Sequence, residues 1–181
     1  MNAQLKREVT TNTKKGLGVS DIILIAVLLA AGAVLKYFVG SLINIGGMKP
    51  NFIIAMYCLA ILLIRPKIYE SAIIGILAGA VCQLFPGTPY INFGSEIIGA
   101  LVMGLLIFVP MSIKGFSLQP IVSTFLSTVA SGSVYTILLF LVANADASAM
   151  VAYVPIVLCT ATFNAVIVQA LYIPLKKVLH K

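Results

Sequence analysis

Glu96 is the acidic residue of this sequence with the clearest capacity for chemistry, because it lies inside an otherwise apolar stretch. A carboxylate within an apolar helix is costly unless it has a partner, so it is a candidate binding group. One turn further on lie the small residues Gly99 and Ala100, which would let a ligand or a neighbouring helix approach. The alternative is a glutamate at a water interface, or one paired with Lys36 or Lys49.

Lys49 is the cation that could match this carboxylate, and it lies in the segment GGMKPN, residues 46–51. The glycines would let the backbone come close to a ligand, and Pro50 suits the start of a helix. The ammonium group could therefore meet a substrate carboxylate. The alternative is a capping turn whose lysine side chain reaches lipid headgroups, which is also what we expect of Lys36.

Hydroxyl groups occupy one face of the fifth apolar stretch. Thr124, Thr128, Ser131 and Tyr135 are separated by four, three and four residues, which is the spacing of a single helix face. We expect the two threonines to make hydrogen bonds between helices, and Ser131 and Tyr135 to line a site. On the next apolar stretch, Asn164 needs a protein, ligand or water partner, because a bare amide in hydrocarbon is costly.

Patterns for other kinds of chemistry are missing from the sequence. There is no GxxxxGK[ST] phosphate loop and no cluster of metal-ligating residues, and His180 is the only histidine. We therefore expect neither an enzyme nor a bound metal or cofactor. Cys58, Cys82 and Cys159 are isolated in apolar runs and are expected to be small buried hydrophobic residues.

The elements that position these side chains are predicted to be helices in lipid. Of the 181 residues, 61% are hydrophobic and 9% are charged, and mean hydropathy is +1.11. Soluble domains carry about 25% charged residues, and a soluble fold of this length could not hide so much apolar surface. We predict an all-α bundle of six transmembrane helices over residues 21–39, 51–64, 68–85, 95–113, 118–143 and 151–175.

Basic residues divide unequally between the two ends of the predicted helices. Ten of the twelve lie on the side of the termini, and only Lys36 and Lys49 lie on the other. The positive-inside rule therefore places both termini in the cytoplasm and the turn-rich loop 86–94 outside. The basic residues that give the net charge of +7 would lie at the membrane surface beside lipid headgroups, and we expect them to have no role in binding nucleic acid. Residues 1–19 form a cytoplasmic tail in this prediction, and residues 20–178 form the membrane domain.

Small residues spaced four apart mark surfaces for close helix packing. Ala26 and Ala30 form such a pair on the first predicted helix, and Gly75 and Gly79 form one on the third. Side chains of this size let a neighbouring backbone approach closely. At the cytoplasmic start of the third helix, Glu70 is expected to pair with basic neighbours at positions 65 and 67.

Six short spans, both ends inside, no ATPase motif and the Ala26–Ala30 spacing together resemble the S component of an energy-coupling-factor (ECF) transporter. The resemblance implies a subunit of the bacterial plasma membrane that binds a small molecule near its outer face. It also implies that Ala26 and Ala30 dock onto an ECF coupling subunit, which works with two ATPase subunits.

More narrowly, the stretch GGMKPNFIIAMYCLAILLI, residues 46–64, resembles the tryptophan-transporter family of Firmicutes, which is related to these S components. The general similarity extends over residues 20–178. The resemblance implies an acidic residue after Pro50, where this chain has Asn51. The residues themselves indicate the same kind of ligand, since Lys49 and Glu96 would suit the two charges of an amino acid.

We therefore expect a substrate-binding subunit of an importer, with tryptophan as the leading substrate. The candidate binding residues are Lys49, Asn51, Tyr57, Gln83, Asn92, Phe93, Glu96, Ser131, Tyr135 and Asn164. The aromatic members of this set could stack on an aromatic ring of the substrate. Two alternatives stay open: an S component for a vitamin or vitamin precursor, and a regulatory or assembly membrane protein that transports nothing.

Overall fold

A computed structural model describes residues 16–42, 50–88, 90–113, 116–143 and 147–179. The described chain is helical, as its composition predicts, and its six α-helices are α1 Val19–Leu42, α2 Ile53–Ile64, α3 Ile68–Cys82, α4 Ile91–Leu106, α5 Gln119–Ala143 and α6 Val154–Val178. A 3-10 helix, Ala147–Tyr153, leads into α6. Between α4 and α5 there is one antiparallel pair of two-residue strands, β1 Ser112–Ile113 and β2 Phe116–Ser117.

The helix α2 forms the centre of the bundle. All twelve of its residues are buried, and it contacts each of the other five α-helices. Its sequence, IIAMYCLAILLI, is apolar on every side apart from the hydroxyl group of Tyr57. A helix that is apolar all round can lie either in lipid or inside a bundle, and the packing of the other five α-helices gives α2 the second position.

Helix lengths separate the six helices into two groups. The apolar spans around α1, α5 and α6 cover 22, 25 and 29 residues, and these three are long and apolar enough to cross a membrane. About 20 residues of helix cross the hydrocarbon core. The helices α2, α3 and α4 are also apolar but have 12, 15 and 16 residues, so each is shorter than that length.

The predicted fourth span is displaced along the chain in the structure. We expected residues 95–113, whereas α4 covers Ile91–Leu106. Asn92 and Phe93, which we expected in the turn-rich loop, lie in the first turn of α4. Tyr90 precedes them with a φ of 65°, a left-handed conformation that turns the chain into the helix.

Side chains from two other segments donate hydrogen bonds to the carbonyl oxygens at the end of α4. The amide of Gln119 donates to the carbonyl oxygens of Leu106 at 3.3 Å, Ile107 at 2.8 Å and Val109 at 3.2 Å. The guanidinium group of Arg65 also donates to the Ile107 carbonyl oxygen, at 2.5 Å. Because the last carbonyls of a helix have no partner within it, these bonds stabilise an end near residue 106.

Gly75 and Gly79 pack against α4, as their spacing predicts. A Cβ atom on Gly75 would lie 2.7 Å from the backbone oxygen of Glu96, and one on Gly79 would lie 2.9 Å from the Cα atom of Phe93. Neither position has room for a side chain, so both glycines allow α3 and α4 to approach closely. This approach places Cys82, the last residue of α3, beside Glu96.

Glu70 closes the first turn of α3 at the opposite end of the bundle. Its carboxylate accepts hydrogen bonds from the backbone N–H of Lys67 at 2.8 Å and from the hydroxyl group of Tyr69 at 3.4 Å. We expected Glu70 to pair with the side chains of Arg65 and Lys67. The guanidinium group of Arg65 instead donates to the end of α4, and the Nζ atom of Lys67 lies 5.8 Å from the centre of the Tyr69 ring. The acidic group therefore acts as a helix cap.

The three cysteines differ in their surroundings. Cys58 and Cys82 are buried, as we expected. Cys159 is exposed on the surface of α6, so the expectation that it is a buried hydrophobic residue is wrong. The apolar residues around Cys159 belong to a surface of α6 that the described helices leave uncovered, so an apolar sequence there does not mean burial.

Candidate functional site

A polar cavity of about 680 Å³ lies toward the end of the bundle at which α1, α3 and α5 finish and α2, α4 and α6 begin. Because neighbouring helices run in opposite directions, residues far apart in the sequence meet there. The described residues that line it are Lys36, Tyr37, Asn51, Ile54, Cys82, Phe85, Pro86, Gly87, Asn92, Ser95, Glu96, Thr128, Ser131, Gly132, Tyr135, Val157 and Thr160. We call this space the polar cavity.

Glu96 contributes the negative charge of the polar cavity. Its side chain is only 1% exposed, and its Oε1 atom accepts a hydrogen bond from Nδ2 of Asn51 at 2.5 Å. The hydroxyl group of Ser131 donates to Oε2 at 3.4 Å, and the Sγ atom of Cys82 lies 3.7 Å from Oε1. The carboxylate is therefore enclosed by groups from α3, α5 and the start of α2.

Lys36 contributes the positive charge, and our expectation that it reaches toward lipid headgroups is wrong. Its Nζ atom lies 3.5 Å from Sγ of Cys82 and 5.0 Å from the centre of the Phe85 ring, an arrangement typical of a cation–π contact. Since Glu96 also contacts that sulfur atom, the two opposite charges are within 4 Å of the same atom. Attraction between such charges is stronger in an apolar bundle than in water.

Asn51 and Asn164 connect the carboxylate to the centre of the bundle. The Nδ2 group of Asn164 donates to the backbone oxygen of Asn51 at 3.2 Å and to the hydroxyl oxygen of Thr128 at 3.4 Å. Asn164 is fully buried, and it is not part of the cavity wall. Its Nδ2 group therefore has the partners that the depth of Asn164 in α6 requires, and it holds Asn51, which in turn contacts Glu96. Its Oδ1 atom is buried without a hydrogen-bond partner among the described residues.

Tyr57 lies beneath the polar cavity, on the central helix. Its side chain is fully buried, and a Cβ atom on Gly99 would overlap its hydroxyl group. Gly99 is also close to Ser127, whose hydroxyl group donates to the Gly99 carbonyl oxygen at 2.8 Å. The small residues after Glu96 thus admit a neighbouring helix at this depth, which is one of the two roles we considered for them.

Five of the ten predicted binding residues come together on the wall of the polar cavity. These are Asn51, Asn92, Glu96, Ser131 and Tyr135. Thr128, which we expected to bond only between helices, both accepts a bond from Asn164 and lines the cavity.

Gln83 and Phe93 lie away from the cavity wall. Gln83 is exposed, donates to the Gly79 carbonyl oxygen at 3.4 Å and accepts from the backbone N–H of Tyr90 at the same distance. Phe93 packs against Gly79 between α3 and α4. Lys49 lies outside the described residues, so its position relative to the cavity stays a prediction.

The structure also adds residues that sequence reasoning did not select. Lys36 and Tyr37 reach the cavity from α1, and Phe85 reaches it from the loop after α3. Lys36 could have been selected from its charge, because it is one of only two basic residues at this end of the predicted helices. Nothing in the sequence distinguishes Tyr37 and Phe85 as binding residues, since aromatic residues are common throughout apolar helices.

Ala26 and Ala30 lie on the exposed surface of α1, away from the polar cavity. Large apolar side chains surround them, among them Ile22, Ile23 and Val27, all more than half exposed. The two alanines therefore form a shallow place on an apolar surface that the described helices leave uncovered.

These features define the class of protein. Apolar helices, three of them long enough to cross a bilayer, enclose a cavity that contains one cation and one anion among its described lining residues. Residues 18–180 match the family described as "Tryptophan transporter TrpP", and the chain belongs to this family of multi-pass membrane proteins. Membership confirms the narrower resemblance found in residues 46–64, and it favours transport over catalysis.

One curated relative supports the same assignment. A "Probable tryptophan transport protein" of Clostridium acetobutylicum is 29% identical over 168 residues, which is 89% of this chain and 94% of the relative. The similarity therefore extends over nearly the full length of both proteins. No solved structure matches this chain.

Proposed function

We propose that this chain binds tryptophan in the polar cavity and serves as the substrate-binding subunit of an ECF importer in the bacterial cell membrane. A separate module, made of a coupling subunit and two ATPase subunits, would supply the energy. The observation that carries the proposal is the pair of opposite charges, Lys36 and Glu96, that face one cavity inside an apolar bundle. Family membership supports tryptophan as the substrate.

The charges of the cavity suit the two charged groups of an amino acid. The substrate ammonium group would pair with Glu96, and the substrate carboxylate would pair with Lys36. Each charge-assisted hydrogen bond contributes roughly 1.5–3 kcal/mol, and partial exclusion of water would keep such bonds strong. Lys49 is a second candidate partner for the carboxylate.

The remaining walls suit an aromatic side chain. Tyr37, Phe85 and Tyr135 contribute rings, and Ile54 and Val157 contribute apolar surface. Aromatic ligands stack on such groups, and cavities that bind small molecules have volumes of about 300–1,000 Å³. The amide of Asn92 and the hydroxyl group of Tyr135 are available types of partner for an indole N–H group.

Binding to the purified chain tests the proposal directly. We expect L-tryptophan to bind one-to-one by calorimetry, and to be the compound that mass spectrometry finds bound after gentle purification. A vitamin found there instead would support the vitamin alternative. Failure to bind any small molecule would favour a regulatory or assembly role.

Energy coupling needs a separate test, because the sequence contains no nucleotide-binding motif. In liposomes, the chain alone should not concentrate tryptophan, whereas the chain with the coupling module and ATP should do so. Concentrative uptake by the chain alone, driven by a proton gradient, would contradict a role as an ECF subunit.

Ala26 and Ala30 are the proposed docking site for the coupling subunit. Ala26→Trp should abolish association with the module and leave tryptophan affinity unchanged, because the alanine is exposed and remote from the cavity. A matched control is Val166→Trp, which adds the same side chain to an exposed position of α6. Equal association of both variants would contradict docking through α1.

Six membrane crossings with both termini in the cytoplasm complete the proposal. In a background without native cysteines, Asn2→Cys and Thr88→Cys should react with an impermeant thiol reagent from opposite sides. Ten of the twelve basic residues lie on the side assigned to the cytoplasm, which is the basis of this orientation. Reaction of both positions from one side would rule out the six-span topology.

A further inference from the structure

Thr160 of α6 places a hydroxyl oxygen on the wall of the polar cavity. Its hydroxyl group donates to the backbone oxygen of Ile156 at 2.8 Å, one turn earlier in the same helix, which is a common arrangement for threonine within a helix. The proton is therefore already used, and only the lone pairs of the oxygen remain for a ligand in the cavity. Thr160 thus presents a hydrogen-bond acceptor.

Apolar groups and close helix packing surround this acceptor. Val157, three residues earlier on α6, lines the cavity from the same helix face. Gly132 of α5 also lines it, and a Cβ atom on Gly132 would lie 2.8 Å from Cγ1 of Val157. The helices α5 and α6 are therefore in close contact at this wall. A flat ring lying against the wall would meet one polar side chain of α6.

The two charged side chains of the cavity have their contacts on other elements. Lys36 contacts Cys82 and Phe85, at the end of α3 and in the loop after it. Glu96 contacts Cys82 and, on α5, Ser131. Within the described part of α6, no residue makes a hydrogen bond with either charge. An amino acid whose charged groups meet these two side chains would leave its ring free to lie against α6.

An indole ring differs from a phenyl ring because it carries an N–H donor. A buried N–H group without an acceptor is costly, so an indole needs an acceptor wherever its ring is enclosed. A site that pairs with a substrate N–H group discriminates against analogues that lack it. An acceptor on the wall that receives the ring would therefore favour an indole.

Three other lining residues can also accept a hydrogen bond. An amide and a phenolic hydroxyl group can each donate or accept, so Asn92 and Tyr135 suit many ligands equally well. Ser95 resembles Thr160, since its hydroxyl group donates to the backbone oxygen of Asn92 at 3.2 Å. It directly precedes Glu96 in α4, however, so it lies beside the proposed partner of the substrate ammonium group.

We propose that Oγ1 of Thr160 accepts a hydrogen bond from the ring N–H group of the substrate, and that this acceptor makes the polar cavity prefer an indole to an aromatic ring without a donor. This inference rests on the proposed function, since it takes an amino acid as the ligand. Thr160 thereby determines specificity at the ring, apart from the charged groups that hold the rest of the ligand.

L-Tryptophan and benzothienylalanine, its analogue with sulfur in place of the ring N–H group, test this role in the full chain. The two compounds share the amino-acid group and nearly the same ring shape. We expect calorimetry to show that the unmodified chain binds tryptophan about tenfold more tightly. Equal affinities would overturn the role of Thr160 and leave the proposed function standing. Failure to bind tryptophan at all would remove both.

Thr160→Val should weaken tryptophan binding by about tenfold and leave the affinity for benzothienylalanine nearly unchanged, so that the preference disappears. Thr160→Ser keeps the oxygen and should keep the preference. The matched control is Thr162→Val, because the Thr162 hydroxyl group donates to the Leu158 backbone oxygen at 2.9 Å but lies on the exposed surface of α6. This control should change neither affinity.

Two results with these ligands would contradict the assignment to α6. The first is a preference for tryptophan that persists in Thr160→Val. The second is a preference that disappears in Ser95→Ala, which would place the acceptor on α4. Melting temperatures would show that each variant is folded, and Thr160→Ala replaces Thr160→Val in the same comparison if the valine variant does not fold.

Discussion

Glu96 and Glu70 are both buried acidic residues, and they lie at opposite ends of the bundle with different surroundings. Glu70, 5% exposed, receives a backbone N–H from the first turn of its own helix. Glu96, 1% exposed, receives side chains from other helices and faces a cavity that also contains Lys36. The first carboxylate closes a helix end, and the second has an open direction toward a ligand.

This difference shows that burial alone does not identify a binding carboxylate in an apolar protein. Glu70 is a side chain whose partners come from local backbone and an adjacent residue, so its role is complete within one turn of α3. Glu96 depends on groups that are 35 and 45 residues away in the sequence. A ligand can replace or supplement distant partners more easily than it can replace a helix cap.

The largest effect on binding is expected at Glu96. Glu96→Gln should weaken tryptophan binding by about tenfold to a hundredfold, because a buried ammonium group would lose its charged partner. Calorimetry would measure the change. Glu70→Gln is the matched control, and it should leave affinity unchanged while lowering the melting temperature, because it weakens a helix cap. A loss of affinity only in the Glu70 variant would place the site at the other end of the bundle.

A somewhat smaller loss, of about tenfold, is expected for Lys36→Gln, because Lys36 is the described cation of the cavity. Lys49→Gln measured alongside it would decide which lysine holds the substrate carboxylate. Loss in the Lys49 variant alone would restore our original choice of cation and make Lys36 a neighbour of the site only. Loss in both would indicate that they share the carboxylate.

Chemical modification of Cys82 would report whether the polar cavity is occupied, without any substitution in the protein. It lines the polar cavity, whereas Cys159 is exposed on the outer surface of α6. Saturating tryptophan should slow modification of Cys82 by a small thiol reagent severalfold and leave modification of Cys159 unchanged, as peptide mass spectrometry would show. A rate of modification at Cys82 that is measurable without tryptophan and unchanged with it would argue against binding in this cavity.

The smallest effect is expected at Gln83, which the sequence placed among the binding residues. Its side chain is exposed and bonds to the backbone of Gly79 and Tyr90. Gln83→Ala should therefore change tryptophan affinity by less than about twofold. A titration that shows a larger loss would mean that the loop after α3 contacts the substrate.

Parts of the site that depend on local periodicity could be predicted from the sequence. Ser131 and Tyr135 share one face of α5 with Thr128, and all three line the polar cavity. A helix of 3.6 residues per turn places such residues together whatever surrounds it. The packing of Gly75 and Gly79 on α4 follows from the same kind of local rule.

Other parts depended on how whole helices are oriented, and these could not be predicted. Lys36 faces the cavity because α1 packs against α2 and α3 with that side inward, a rotation that its nearly uniform apolar sequence does not specify. Asn92 was expected in a loop because the turn signals before it are strong. In the structure α4 begins at Ile91, so Asn92 lies in its first turn. Local preference there gave way to the packing of α4 against α3.

The sequence by itself determined that this is a membrane protein, that it is helical, and that the carboxylate of Glu96 needs a partner. Each of these follows from transfer free energies and from helical spacing, which depend on a residue and its close neighbours. Only the tertiary structure decided that the partners are Asn51, Ser131 and Cys82, with Lys36 beside them. Contacts between helices decide such partnerships, because an apolar surface alone does not specify which side of a helix meets which neighbour.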